Sequence, residues 1–231
     1  MPYRRLPNTD LSRIKALKTA IEKAGSTDFQ HVAISMRTLS RARSAVSKFE
    51  RLCLKYQQTL DTQVKANIAF QNRVKNARMY ISHFIQVLYM CVMRAEIKPE
   101  LLELYGLQKR SLILPDLSSN EQLLQWGQQI IAGENRRIAQ GGVPIYNPGI
   151  AKVKVMYTLF KEGYQTQQLH QKATARTLNE VAVYRNEVDA IILDIWEEVE
   201  QFHAGLPPNE RLQKNREYGL IYYYRKGETI V

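Results

Sequence analysis

Apolar residues recur every three or four positions along most of this chain, the spacing of one helix face. Leu11, Ile14, Leu17 and Ile21 follow the candidate caps Asn8-Thr9-Asp10 and predict a short helix over about 9–24, closed by Gly25. From Ser35 to Lys98 there is neither Gly nor Pro. Leu39, Ala42, Val46, Phe49, Cys53, Tyr56 and Leu60 form one seam there, continued by Val64, Ile81, Phe84 and Leu88. Such a run predicts one long coiled-coil-like helix, roughly 90 Å if sixty residues are helical. The alternative is a hairpin folding back near "TLDTQ", residues 59–63, where Thr and Asp weaken the helix.

Pro99 breaks the run, a short helical piece leads to Tyr105-Gly106, and "RSLILP" at 110–115 reads as extended. Ser118 with Glu121 three residues later matches a capping box before Leu123, Leu124, Ile130 and Ile131, and predicts a second short helix. "GGVPIYNPG", 141–149, is the clearest loop in the chain. A second long helix is expected over about 151–204, with Leu178, Val181, Val188, Ile191, Ile195, Val199 and Phe202 as its seam. Gly205 and Pro207-Pro208 stop it, and a helical piece reaches Tyr218-Gly219.

The fold class is therefore all-α: one elongated bundle, residues 1–231, built on two long antiparallel helices and two short ones. The chain also reads as the same series twice, with internal repeats 1–117 and 118–231. "YGL" stands at 105–107 and 218–220, and "FQNRV" (70–74) lines up with "YRNEV" (184–188). Identities are few, and two long amphipathic helices would also coincide by architecture alone. After the second "YGL" comes "IYYYR", read as an extended strap. Alternation puts Tyr222 and Tyr224 on one side and Ile221, Tyr223 and Arg225 on the other; one tyrosine face is expected to pack on the bundle, beside Tyr3 and Leu6, and the other to stay wet.

Charge adds what the pattern cannot. The net charge of +11 is all N-terminal: residues 1–78 hold 16 Lys and Arg against 5 Asp and Glu, and residues 79–231 hold 17 against 17. Arg37, Arg41, Lys48, Arg51 and Lys55 fall along one direction of the first long helix, about 140° from its seam at 100° per residue. Arg4 and Arg5 add to the same end. A polyanion would relieve the self-repulsion of such a stripe and gain from counterion release. The second long helix is acidic toward its end, at Glu187, Asp189, Asp194, Glu197, Glu198 and Glu200. The two flanks are thus also able to pair, within one chain or head to tail between chains.

"PYRRLPNTD" (2–10), "YISHFIQVL" (80–88), "NPGIAKVKV" (147–155) and "EYGLIYYYR" (217–225) resemble segments of a family of soluble, all-helical bacterial proteins with no assigned activity. That resemblance implies a helical bacterial protein and brings no site residues with it.

Candidate chemistry is thin. Glu200-Gln201-Phe202-His203 has the Glu-x-x-His spacing of di-iron bundles, but no second such motif accompanies it. His203 reads instead as a partly exposed residue near a helix C-terminus. The paired arginines of "ENRRIAQGG" follow a helix, whereas a phosphate-binding loop follows a strand. Met79, Tyr80, Tyr89, Met90 and Met93 read as core, and Cys53 and Cys91 as buried free thiols of a reducing compartment. No catalytic centre, cofactor or metal is expected. With no signal peptide and no apolar run long enough to insert into a membrane, the location read from the sequence is cytoplasmic. The expectation is a non-enzymatic binding protein touching phosphate backbone through Arg4, Arg5, Arg37, Arg41, Lys48, Arg51 and Lys55, with RNA or the ribosome ahead of specific DNA. The rival is a self-associating coiled-coil-like module, a homo-oligomer with no nucleic-acid role.

Overall fold

The computed structural model describes residues 2–28 and 31–225. Among them are five α-helices: α1 (Asp10–Gly25), α2 (Met36–Met93), α3 (Asn120–Ala139), α4 (Ile150–Phe202) and α5 (Pro208–Glu217). A 3-10 helix spans Pro99–Tyr105, and two-residue strands β1 (Tyr3–Arg4) and β2 (Tyr222–Tyr223) pair antiparallel. The protein is all-α, and residues 36–93 form one continuous helix with no reversal at 59–63. It ends earlier than Pro99 suggests, because Ala95 turns into a left-handed conformation at φ 58°.

The chain divides into two compact units, the first from Met1–Leu60 and Ala173–Val231, the second from Asp61–Lys172. Both long helices contribute to each.

In the first unit, α1 starts at Thr9, whose hydroxyl accepts from the Ser12 amide while the Ser12 hydroxyl accepts from the Thr9 amide. Gly25 is its last helical residue, not a left-handed cap; Ser26 closes the turn at φ −94°. Leu17, Ala20 and Ala24 bury into a core with Leu39, Ala42, Phe49, Val181, Val188, Ile195 and Trp196. Arg41 pairs with Asp194 and Lys55 with Glu180, so α2 and α4 run antiparallel here. Three predicted seam residues lie outside the core: Leu11 is 80% exposed, Phe202 50% and Leu178 39%. A wheel of 3.6 residues widens over several turns, and its edges fall outside the contact. The core ends in a polar layer, with Thr59 and Thr177 hydroxyls 2.8 Å apart and Thr174 donating to the Thr59 carbonyl.

The strap forms as expected. Tyr3 faces Tyr223 and Arg4 faces Tyr222, and the Arg5 amide donates to the Ile221 carbonyl. Tyr222 and Tyr224 are half-buried, while Ile221, Tyr223 and Arg225 are exposed. The rings of Tyr3 and Tyr223 sit 5.7 Å apart.

In the second unit, the seam of α2 shifts. Val64 is 52% exposed, and Phe70, Val74 and Ala77 carry the buried line forward to Ile81, Phe84, Ile85 and Leu88. Met79, Met90 and Met93, expected in the core, are 45–67% exposed. The stacked rings of Phe70, Phe160 and Tyr164, and Asn67 bonded to Gln167, again set α2 antiparallel to α4. The capping box of α3 lies one residue later than read, at Ser119 with Gln122, because Ser118 turns back to Asp116. Gly127 lets α3 approach: a Cβ there would fall 2.3 Å from the Tyr157 ring. Residues 110–115 leave the 3-10 helix as coil, fastened where the Tyr89 hydroxyl donates to the Ile113 carbonyl.

Candidate phosphate-binding face

The basic stripe of α2 is largely spoken for. Arg41 reaches Asp194 at 2.7 Å, Lys55 reaches Glu180 at 2.9 Å, and Lys48 lies 4.1 Å above the Tyr184 ring. All three partners project from α4. Arg4 sits apart from this stripe, in β1, with its guanidinium 3.2 Å from Glu200 and 3.9 Å from Glu197. Beyond the predicted set, Lys18 pairs with Glu50 and Lys23 with Glu217, both at 2.6 Å.

Two bidentate pairs join α1 to α4. Arg13 donates through Nε and a terminal nitrogen to Asp189 at 2.7 and 2.9 Å, and Arg185 does the same to Asp10 at 2.7 and 2.8 Å. The hydrogen bond from Arg185 holds the Asp10 carboxyl below its usual range against the opposing effect of burial. Glu198 takes a different task. It accepts from the Ser35 amide at 2.6 Å and the Thr38 hydroxyl at 2.6 Å, covering the first turn of α2. Five of the six acidic residues read from the end of α4 are thereby engaged inside the first unit.

These pairings redistribute the charge. The first unit holds 19 Lys and Arg against 14 Asp and Glu, a net +5, and the second holds 14 against 8, a net +6. Residues 173–231, at a net −3, thus offset part of the +8 carried by residues 1–60.

Arg5, Arg37 and Arg51 of the predicted set are exposed and make no ion pair among the described residues. The exposure pattern adds Arg43, which a stripe drawn through Arg37 and Lys48 leaves out. Arg37, Ser40, Arg43, Ser44, Ser47 and Arg51 are all exposed and fall within about 120° of helix face. The serines are small and leave the guanidinium groups open to a ligand. The signal in the sequence was the run "SRARSAVSKFER" (40–51), where Ser alternates with Arg and no acid intervenes before Glu50.

Two further polar centres lie inside the units. Glu200 and His203 do not converge. The Tyr222 hydroxyl donates to Glu200 at 2.7 Å and accepts from Asn215, whose Oδ1 lies 2.8 Å from His203 Nδ1. His203 is 8% exposed, so it is an interior residue of this chain of bonds. Burial, reinforced by Glu200, pushes the Tyr222 hydroxyl well above its usual value. No group of three or more His, Cys, Asp or Glu able to hold a metal occurs among the described residues.

In the second unit, Glu134 and Arg137 are 0% and 3% exposed. Arg137 binds Glu134 through Nε at 3.0 Å and Nη2 at 2.8 Å, and Tyr105 donates to Glu134. Burial opposes the Glu134 charge, but the bonds from Arg137, Tyr105 and the Ile145 amide outweigh it and hold its carboxyl below the usual range. Cys53 and Cys91 are free and half-buried, with burial pushing both thiols up. No helix among the described residues is long and apolar enough to cross a membrane. No protein-family model, curated protein or solved structure matches the chain, so its residues alone carry the functional argument.

Proposed function

We propose that this protein is a non-enzymatic cytoplasmic binding protein that contacts the phosphate backbone of RNA, free or in the ribosome, through the open face of α2. The observation that carries this reading is the cluster of Arg37, Arg43 and Arg51 among Ser40, Ser44 and Ser47, exposed and without an ion pair among the described residues. Guanidinium groups suit bidentate phosphate contacts, and the hydroxyls of Ser40 and Ser44 add neutral donors, while that of Ser47 donates to the Arg43 carbonyl. Arg5 belongs to the same reading as an exposed cation; Arg4, Arg41, Lys48 and Lys55 serve in it as internal partners of α4 and the strap. Two free cysteines suit a reducing compartment.

The test is co-purification and binding. The purified protein should carry nucleic acid, seen as a raised 260/280 nm ratio that a high-salt wash removes. Single-stranded RNA should bind with a log K against log salt slope of about −2, and the triple change Arg37→Gln, Arg43→Gln, Arg51→Gln should abolish most of it. A protein-like ratio with no binding at about 50 mM salt would end this reading.

One observation favours the rival module. Val64, Ile68, Met79, Met90 and Met93 of α2 are 45–67% exposed and lie within about 80° of one another. If they mediate self-association, light scattering gives a defined oligomer that Ile68→Lys dissociates; a monomer at all concentrations removes it.

A further inference from the structure

The second unit contains a cavity of about 840 Å³ between the end of α2, residues 96–101 and the loop 141–146. That volume falls in the range of about 300–1,000 Å³ typical of small-molecule sites. Its wall is mostly apolar, from Val87, Ile97, Leu101, Val143, Pro144 and Ile145. Into this wall is set a buried cation, Arg137.

The donors of Arg137 are unevenly used. Nε serves the Tyr105 hydroxyl and Glu134, and Nη2 serves Glu134 and the Val143 carbonyl at 2.7 Å. Nη1, with its two N–H groups, has no hydrogen-bond partner among the described residues. Gly142 keeps the space beside it open, since a Cβ there would fall 2.7 Å from Nη1. Nη1 keeps access to the cavity, where an anionic acceptor can replace water on its two N–H groups.

Charge sets the class of acceptor. Glu134 already balances Arg137, and the remaining ionic lining is Arg94 and Lys98 against Glu96, a surplus of one positive charge. We infer that the cavity binds a small monoanionic carboxylate with an apolar body, its carboxylate directed to Arg137 Nη1 and its hydrocarbon part against Val87, Ile97 and Leu101. Arg94, 66% exposed at its side chain and only 3.8 Å from Glu96, and Lys98 attract the anion at the mouth.

The probes are 4-phenylbutanoate and the matched alcohol 4-phenylbutanol. Calorimetry should show one saturable site per chain for the carboxylate, with Kd on the order of 0.1–1 mM, and none for the alcohol. The carboxylate should also slow alkylation of Cys91, which lines the cavity, and leave Cys53 of the first unit unaffected. Arg94→Gln with Lys98→Gln changes only residues at the mouth and should weaken binding about tenfold with an unchanged fold. Arg137→Lys, which keeps a charge beside Glu134, should abolish it. Equal binding of the alcohol, no saturable heat for the carboxylate, or protection of Cys53 and Cys91 alike would each overturn the inference.

Discussion

The two units close their cores with the same parts and hold them by different means. In the second unit Tyr105 is followed by left-handed Gly106 and buried Leu107; in the first, Tyr218 is followed by left-handed Gly219 and buried Leu220. Gly106 lies against Gln129 of α3 and Gly219 against Ala16 and Thr19 of α1. The polar fastening then diverges. Tyr105 joins a fully buried ion pair, whereas the first unit relies on part-buried bidentate pairs between α1 and α4 and on the hydrogen-bond chain from His203 to Tyr222. A buried pair concentrates risk, because removing one partner strands the other in a low dielectric. Several partly exposed pairs spread the same duty thinly.

The sharpest way to break that comparison is Glu134→Gln. Leaving Arg137 charged and uncompensated should cost about 3–5 kcal/mol, measured by urea unfolding, and hydrogen exchange should place the loss in α3 and the 3-10 helix. A cost near 1 kcal/mol would mean that the buried pair carries no special load.

Packing gives a smaller effect. In Gly133→Ala the new Cβ would meet the Tyr105 ring at 2.6 Å and the rigid Leu104 carbonyl at 2.8 Å, costing about 1–3 kcal/mol. In the first unit Gly25→Ala meets nothing within 4 Å at the end of α1 and should stabilise by about 0.5 kcal/mol. The two changes should move Tm in opposite directions; destabilisation by both would show that the positions of Gly25 and Gly133 are equally crowded.

Asp189→Asn, which weakens one bidentate pair of the first unit, should cost about 1 kcal/mol. Acid weakens a carboxylate in each unit. Asp10 and Glu134 both have lowered folded-state values, so each contributes stability present above the ordinary carboxylate range, near pH 4, and lost as pH falls through its lowered value. Asp10→Asn should reduce the loss of stability between pH 5 and pH 3, read from urea midpoints; an unchanged acid limb would remove Asp10 from this role. The smallest expected change is Tyr222→Phe. It frees Asn215 and Glu200 from one shared hydroxyl and should cost about 1 kcal/mol or less, with faster exchange at the Arg5 amide.

The helices, the capped start of α1 and the strap were legible because each rests on local spacing, while the cap of α3 was displaced by one residue because Ser118 turns back to Asp116. Thr9 and Ser12 are three residues apart, and the alternation of "IYYYR" reports its own two faces. The fate of the charges was not legible. Arg13 and Asp189 are 176 residues apart, and nothing in either neighbourhood names the other. Arg137 and Glu134 mislead in the opposite way, since an Arg and Glu three apart on a helix look like an ordinary surface pair. Only their position opposite Tyr105, delivered by the 3-10 helix, buries them. Likewise the open face of α2 emerges only after α4 has taken Arg41, Lys48 and Lys55, so of the seven predicted phosphate contacts those with neither an ion pair nor a ring contact among the described residues are Arg5, Arg37 and Arg51.

The division of the chain has a consequence for its synthesis. The second unit is one uninterrupted stretch, Asp61–Lys172, whereas the first draws on residues that precede and follow that stretch. As the polypeptide leaves a ribosome, every residue of the second unit is available while α5 and the strap are still unmade. During that interval α1 and the start of α2 expose Leu17, Phe49 and their unpaired arginines to the surroundings. The earliest partner of those arginines in a cell is then not Asp189 or Asp194 but whatever anion lies nearest to the nascent chain.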